Sequence, residues 1–298
     1  MNKYLITGAS GNIGRYVVDE LISSAKNVKA AVHDREKGNK LFKDKENVEL
    51  VEFDFLDEKT FEEALEGVRA IFLVRPPKLA KPQKDMRPFL EAAKKMGIKK
   101  IVFVSLLGVE KNPIVPHRKI EDMIKKLDIP YVFLRPSFFM QNLNTNHREE
   151  IKERNELYIP AGSSKTSFID TRDIARTAAI SLIDEKYTNT TLTLTGKKAI
   201  DYYEVSRILS DVLKKEITYK DPSLYRFRKD RIKRGTSKGF ATVMTLLYLM
   251  TKLGTAKDVT YDLEKIIGRA PISFKQYAID HKNYWILYEP VGIEVPNL

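Results

Sequence analysis

The feature that most constrains this chain is a glycine-rich turn directly after a short apolar segment near its start. Residues 7–14 read Thr-Gly-Ala-Ser-Gly-Asn-Ile-Gly. Between a strand and a helix, the first glycine permits a sharp turn, the second lets the backbone approach a phosphate, and the third lets helix and strand pack closely. The free N–H groups and the positive end of the helix favour an anion. The sequence predicts that a dinucleotide pyrophosphate is bound by Gly8, Ser10, Gly11, Asn12, Ile13 and Gly14.

The first half of the chain alternates short apolar runs with segments whose apolar residues recur at helical spacing. Near-continuous apolar strands alternating with helices indicate a parallel sheet covered on both faces, and right-handed crossovers then give the doubly wound order. We therefore expect an α/β fold: a Rossmann doubly wound parallel sheet with a smaller, mostly helical C-terminal substrate domain. The predicted strands are 3–7, 28–33, 48–54, 70–74, 101–105 and 131–135, and the predicted helices are 12–24, 83–96 and 117–127.

The second half is less regular and sets the expected domain boundaries. Strands are predicted at 167–170, 191–194 and 217–219, and helices at 171–183 and 202–213. No long linker rich in Gly, Ser or Pro separates the halves. We expect the dinucleotide-binding domain to span residues 1–140 with a contribution from 166–190, and the substrate domain to span 191–298 with 141–165.

The glycine turn, with Thr7 before it, resembles the short-chain dehydrogenase/reductase superfamily, in particular its extended and atypical members. The resemblance implies that the acidic Asp54, followed by Phe55, holds the adenine where the third strand ends. An alternative is that Asp54 only caps that strand. The resemblance also places Val74 and Arg75, at the end of the fourth strand, beside the cofactor ribose.

Three later stretches are similar to the NmrA-like branch of that superfamily. They are Val-Pro-His-Arg-Lys-Ile-Glu at 115–121, Leu-Arg-Pro-Ser-Phe-Phe-Met-Gln-Asn-Leu at 134–143, and Phe-Ile-Asp-Thr-Arg-Asp-Ile-Ala at 168–175. The resemblance covers nearly the whole chain, and the middle stretch is its most specific part. This branch includes NAD(P)H-dependent quinone reductases and also cofactor-sensing regulators that lack catalysis.

The usual catalytic residues of the superfamily are only partly present. A Ser is expected after the fifth strand, and Ser105 occupies that position, but His117 and Glu121 stand where the superfamily carries Tyr-x-x-x-Lys. This departure argues against the standard alcohol dehydrogenase mechanism. Residues four apart share a helix face, so Glu121 could contact the His117 ring and keep it partly protonated, as a proton donor requires. The alternative is a histidine that packs or faces solvent.

The substrate pocket is expected where the second domain covers the carboxyl ends of the strands. Phe138, Phe139, Met140 and Asn142 follow the sixth strand and are predicted to line this pocket. Aromatic and Met side chains are also common in cores, so plain interdomain core is the alternative.

The choice between NADP and NAD depends on residues after the second strand. NmrA-like proteins that bind NADP usually carry Arg there, whereas this chain has His33, followed by Asp34, Arg35 and Lys37. Asp34 stands where an NAD-selecting acid would, yet it could equally be a turn residue. On charge, we predict that His33, Arg35 and Lys37 favour NADP, with NAD as the alternative.

Composition limits the other classes of partner. The chain has no Cys, which excludes disulfides and thiolate ligands and fits a cytoplasmic protein, and we expect no metal. The net charge is +12, but the one dense basic block, 226–234, reads as a solvated helix rather than a nucleic-acid site. The apolar run 239–251 is too short to span a membrane and is predicted to be a buried or pocket-lining helix. We expect neither a nucleic acid nor a membrane as partner.

These observations predict an NAD(P)H-dependent oxidoreductase that transfers hydride to a quinone or a similar small flat acceptor. Such transfer needs a cofactor, an apolar pocket and a proton source, which water could supply. The alternative is a non-catalytic NAD(P)-binding redox sensor of the NmrA type, which would act on a protein partner. A reductase or isomerase acting on another small molecule is a third possibility.

Overall fold

The computed structural model describes residues 3–286, which form nine strands and thirteen α-helices. The strands are β1 (Lys3–Ile6), β2 (Asn27–Val32), β3 (Val48–Glu52), β4 (Val68–Val74), β5 (Lys100–Val104), β6 (Tyr131–Pro136), β7 (Glu156–Tyr158), β8 (Thr190–Leu194) and β9 (Thr218–Lys220). The helices are α1 (Gly14–Ser23), α2 (Arg35–Phe42), α3 (Phe61–Leu65), α4 (Pro82–Asp85), α5 (Arg87–Lys95), α6 (Pro116–Lys126), α7 (Arg148–Glu153), α8 (Thr171–Ile183), α9 (Tyr202–Leu213), α10 (Leu224–Lys233), α11 (Lys238–Lys252), α12 (Asp262–Ile267) and α13 (Phe274–His281).

The first of two compact units contains a seven-stranded sheet in the order β3-β2-β1-β4-β5-β6-β8. Every neighbouring pair of strands in this sheet is parallel. The expected doubly wound Rossmann fold is therefore confirmed. The chain runs outward from β1 to β3 and then returns to start β4 on the other side of β1, so a crevice opens at the carboxyl ends of β1 and β4.

Helices cover both faces of this sheet, as the continuous burial of its central strands requires. On one face, apolar side chains of α1, α8 and α12 pack on the sheet in one cluster, for example Val17, Ile174 and Leu263. On the other face, α3, α5 and α6 contribute a second cluster, for example Phe89 and Ile120. Strand β5, between β4 and β6, is buried along its whole length. This buried core fixes the position of the strand ends that form the candidate site.

The division of the chain differs from the expected boundaries. The first unit consists of the described residues up to Phe139, of Thr166–Ala199 and of Asp258–Ile272. Strand β8 pairs with β6 at the sheet edge, and α12 packs on β8 through the bond from the Thr193 N–H to Asp262 (3.0 Å). Residues 191–199 therefore lie in the first unit because β8 pairs with β6, and residues 258–272 lie there because α12 packs on β8. The hydrophobic pattern of the sequence does not reveal either contact.

Two predicted elements take another form. The helix predicted at 83–96 is broken at Met86, where φ is −125°, into α4 and α5. Pro88, which has no N–H to donate, follows in the first turn of α5. The strand predicted at 167–170 is only an isolated bridge between Phe139 and Ile169.

The second unit comprises Met140–Lys165, Ile200–Lys257 and the described residues from Ser273 onward. It contains the parallel pair β7–β9 and the helices α7, α9, α10, α11 and α13. A buried polar network joins α10 and α11 to the start of α7. The Arg231 guanidinium donates to His147 Nδ1 (2.7 Å), so Nε2 carries the ring proton and donates to the Tyr248 hydroxyl (2.5 Å). Glu150 neutralises Arg231 at 3.0 Å.

This network predicts a pH dependence of stability. Burial, followed by the Arg231 charge, holds the pKa of His147 well below its usual 6.5. The unfolded chain therefore binds the proton first, and this contribution to stability is full above pH 6.5 and is lost as the pH falls below it. We expect the free energy of unfolding to drop by up to about 1.4 kcal/mol per pH unit in that window. In His147→Gln, thermal unfolding measured between about pH 7 and about pH 5 should show a shallower slope. Parallel profiles for the two proteins would contradict the prediction.

Candidate functional site

The glycine turn lies between β1 and α1, at the switch point of the sheet. Gly8 has a φ of +61°, a conformation that favours glycine. A Cβ on Gly14 would lie 2.3 Å from the Gly8 carbonyl oxygen, so only glycine permits this approach of α1 to the turn. The Thr7 hydroxyl donates to the Phe72 carbonyl (3.0 Å) and accepts from the Val74 N–H (3.0 Å), which joins the end of β1 to β4. Thr7 was expected only as part of the glycine motif, and its bridging role could not be seen from the sequence.

The turn presents free hydrogen-bond donors. Within residues 3–286, the backbone N–H groups of Ser10, Asn12 and Ile13 make no hydrogen bond, and no side chain caps the start of α1. Ser10 is half-buried and Asn12 is exposed. Unpaired N–H groups at the positive end of a ten-residue helix favour a phosphate. The turn therefore fits the pyrophosphate of a dinucleotide.

The end of β2 carries the residues predicted to choose between NADP and NAD. Asp34 is the N-cap of α2, and its carboxylate accepts the Lys37 N–H at 3.0 Å. Asp34 therefore caps α2 through one carboxylate oxygen, as a turn residue would, and its part in the choice of cofactor stays a prediction. The His33 side chain is 83% exposed, and the side chains of Arg35 and Lys37 are exposed as well. The Arg35 and Lys37 cations and the His33 imidazole remain available to an anionic ligand at this strand end.

Asp54 follows β3 and faces the same strand end. One of its oxygens lies 3.7 Å from His33 Nδ1, and the other accepts the Leu56 N–H at 2.9 Å. The carboxylate therefore closes a local turn and is also accessible beside His33. The Phe55 ring instead lies in the aromatic cluster under the sheet, 4.7 Å from the Phe53 ring centroid. Only the backbone of Phe55 is left for a cofactor.

Arg75 follows β4 and is held by backbone carbonyls. Its guanidinium donates to the carbonyls of Pro76 (3.1 Å), Pro77 (3.2 Å) and Leu79 (2.9 Å). Burial lowers the pKa of Arg75 from its usual value. Since Val74 pairs with Val104, Arg75 and Ser105 leave the sheet at the same level of neighbouring strands.

Two buried polar residues lie near the carboxyl end of β5: Ser105 directly follows the strand, and His117 on α6 packs against it. Both Ser105 Oγ and His117 Nδ1 are buried atoms without a hydrogen-bond partner among residues 3–286. The His117 ring stacks on Phe103, with centroids 6.0 Å apart, and Ser105 projects to the same face of β5 because it lies two residues further along the strand. Buried polar atoms are normally paired, so two unpaired ones beside the crevice are suited to a ligand.

The predicted contact between His117 and Glu121 is wrong. Glu121 is fully buried, and Arg135 of β6 binds both its oxygens, at 3.0 and 2.7 Å. Burial and the Arg75 charge lower the pKa of His117 to about 3. His117 is therefore neutral near pH 7 and is not the partly protonated donor that the helix spacing suggested. Arg135 was missed, although a carboxylate on the apolar face of a helix requires such a cation.

The predicted pocket residues lie on either side of the boundary between the units. Phe138 and Phe139 are half-buried at the end of the first unit, where the Phe138 carbonyl accepts the Ile169 N–H at 2.9 Å. Met140 and Asn142 open the second unit, with Met140 buried and Asn142 half-buried. Their role in substrate binding stays a prediction.

Comparison with known proteins agrees with this geometry. The sequence profile of the NmrA-like family matches residues 1–273. The chain belongs to the NmrA-like family. It is 33% identical over 276 residues to prestalk A differentiation protein A of Dictyostelium discoideum, covering 92% of this chain and 90% of that protein. It is 30% identical over 282 residues to the NAD(P)H azoreductase of Xenophilus azovorans, covering 93% and 97%.

Solved structures share the fold. The NADPH-dependent quinone oxidoreductase of Escherichia coli in complex with NADPH superposes with a TM-score of 0.84 at 23% identity, covering 95% of this chain and all of that one (100%). The chain thus has the fold and the glycine turn of an NAD(P)-binding oxidoreductase of the NmrA-like type.

The second glycine of the turn provides a test of cofactor binding. A Cβ on Gly11 would lie 3.0 Å from the Gly8 carbonyl, and the branched side chain of Gly11→Val would fill the approach to the free N–H groups. We expect calorimetry to show NADPH affinity reduced by roughly 100-fold, as loss of two hydrogen bonds to a charged group implies. The unfolding temperature should change little.

A matched control is Gly239→Val, because a Cβ at Gly239 meets nothing within 4 Å and should leave affinity intact. Unchanged affinity in Gly11→Val would mean that the turn is not the phosphate site.

The strand-end residues predict cofactor preference. Because Arg35 and Lys37 are exposed cations and one Asp34 oxygen is used as a helix cap, we expect a dissociation constant for NADPH about tenfold below that for NADH. Arg35→Ala should remove most of this difference without changing NADH affinity. A lower dissociation constant for NADH than for NADPH would overturn the assignment.

Proposed function

We propose that this protein is an NAD(P)H-dependent oxidoreductase that transfers hydride to a quinone or a similar small flat acceptor. The proposal rests on the dinucleotide turn after β1 together with two buried polar atoms that have no hydrogen-bond partner among residues 3–286. These atoms are Ser105 Oγ, directly after β5, and His117 Nδ1 on α6, whose ring stacks on Phe103 of β5. The family and the named activity of the azoreductase relative support it.

In this proposal, separate residues bind the cofactor and stabilise the acceptor. A bound nicotinamide dinucleotide supplies the hydride. The glycine turn orients the dinucleotide through its pyrophosphate, and Asp54 and Val74 line the adenine and ribose positions that the family resemblance implies. The Ser105 hydroxyl donates a hydrogen bond to the acceptor oxygen that gains negative charge, because its Oγ has no competing partner among residues 3–286.

His117 acts in its neutral form. With a pKa of about 3, it cannot serve as a cationic acid near pH 7. A neutral imidazole can still direct one hydrogen bond, and the proton that completes the reduction comes from solvent. This chemistry suits a quinone, whose reduced oxygen is a weak base, better than a simple ketone.

A second candidate is a cofactor sensor without catalysis. It is favoured by the absence, among residues 3–286, of the Tyr-x-x-x-Lys pair at the site and by the relative named for differentiation. A steady-state screen separates the two: NADPH and NADH oxidation is followed with quinones, azo dyes, triphenylmethane dyes, enals and aldehydes. Turnover with a quinone or dye supports the reductase, whereas tight cofactor binding without any turnover supports the sensor.

Substitution of the two polar residues tests their roles. Ser105→Ala should lower kcat with the best acceptor by roughly 10²-fold, because a donor to the developing charge is lost. His117→Ala should lower kcat by about tenfold or less. In the parent enzyme, kcat should not fall as the pH rises from about 6 to about 8, because His117 is already neutral over this range. Ser181→Ala is the matched control, since Ser181 Oγ on α8 is also buried and unpaired among the described residues.

The result that would contradict these roles is a decline in kcat with a midpoint near neutral pH that disappears in His117→Ala. That profile would mean that His117 is protonated and donates its proton. If Ser105→Ala is as active as Ser181→Ala, Ser105 does not donate a hydrogen bond to the acceptor.

A further inference from the structure

Helix α11 is apolar on two opposite faces, but only one of them is covered. Ala241, Met244, Tyr248 and Thr251 are buried. On the other side of the helix, large apolar side chains are between 40% and 68% exposed, and they extend to the residue after its last turn. They are Phe240, Val243, Leu246, Leu247, Met250 and Leu253.

The sequence-based prediction that this run is a buried or pocket-lining helix is therefore wrong for half of its surface. Hydrophobic periodicity cannot show which face of an all-apolar helix is covered. A contiguous exposed patch of this kind marks a surface that something else covers. The helix has 15 residues, about 22 Å, and no helix among residues 3–286 is long and apolar enough to cross a bilayer.

The segment that carries this apolar face is strongly basic. Residues 224–257 contain nine Lys or Arg and a single acidic residue, Asp230, which leaves +8 of the +12 net charge of the chain in this segment. Helix α10 packs on α11, and the Arg228 guanidinium donates to the Thr242 hydroxyl at 2.9 Å. Thr242 lies one helical turn before Leu246, so a cation stands at the edge of the apolar stripe.

Further cations are exposed along α10 and at both ends of α11. We call the exposed residues of both helices together the α10–α11 surface. Its large apolar residues are the six given above and Tyr225 of α10, and its cations are Arg226, Arg228, Lys229, Lys233, Lys238 and Lys252.

We propose that the α10–α11 surface docks on an anionic lipid bilayer. Aliphatic side chains in the middle with Lys and Arg at the edges are the pattern of a helix that lies in the membrane interface, with its apolar face in the acyl boundary and its cations at the headgroups. The expectation of no membrane partner, made from the sequence, is replaced by this proposal.

The charge distribution argues against other occupants. A second copy of the chain would bring two segments of charge +8 together, and like charges oppose such an interface. A nucleic acid would engage the cations, and its bases would stack on the aromatic rings of Phe240 and Tyr225. It would leave the five exposed aliphatic side chains uncovered.

The test is flotation of the full-length protein with lipid vesicles. We expect binding to vesicles of equimolar phosphatidylglycerol and phosphatidylcholine, and binding at least about tenfold weaker to phosphatidylcholine alone or at high salt. Leu247→Glu and Lys229→Glu should each weaken binding by about tenfold or more. The matched controls are Met96→Glu, at an exposed apolar residue after α5, and Lys275→Glu, at an exposed cation of α13; both should bind as the parent does.

Folding and function have separate readouts. NADPH affinity and unfolding temperature should be the same in all four variants, since each substituted side chain is exposed. The flotation assay contains no hydride acceptor, so its outcome is independent of the proposed reductase activity. Failure to bind anionic vesicles would overturn the proposal, as would binding that Leu247→Glu leaves unchanged. Dimers in solution that Leu247→Glu dissociates would assign the surface to a second copy instead.

Discussion

The close approach of Gly14 to the Gly8 carbonyl is the contact on which the candidate site depends. No side chain fits there, since even a Cβ would come within 2.3 Å of the oxygen. This contact fixes where α1 begins relative to β1, and the start of α1 is what leaves the N–H groups of Ser10, Asn12 and Ile13 unpaired. The spacing of the glycines therefore sets the position of α1, and the position of α1 leaves the N–H groups that are suited to a phosphate.

Hydrophobic patterning decides which parts of the fold could be predicted from the sequence. A parallel sheet buried on both faces requires apolar strands, and the alternation of such strands with helices was enough to predict the architecture. The order of the edge strands was harder to predict. Strand β8 is only partly buried, so its hydrophobic pattern does not indicate which unit it belongs to. Its pairing with β6 places it in the sheet.

The part of the site formed by backbone groups could be predicted from the sequence, whereas the contacts between side chains were harder to predict. The glycine turn identifies itself because the backbone geometry demands glycine. Helical spacing brought Glu121 and His117 to one face, but it could not show that Arg135, across β6, binds the carboxylate first. An ion pair between two elements depends on tertiary packing, so a rule about neighbours on one helix gave the wrong partner and the wrong charge for His117.

Helix α11 shows the converse limit. Its apolar residues lie on two faces, so the sequence pattern does not show which of them is buried, and only the structure distinguishes the covered face from the exposed one. Placing the basic α10 beside it then gives the exposed face a chemical character that neither helix has alone. If the acceptor is a quinone that partitions into lipid, an enzyme docked through this surface would meet its substrate where the substrate is most concentrated. In that case, the high positive charge of the second unit would act on access to the substrate rather than on the hydride transfer itself.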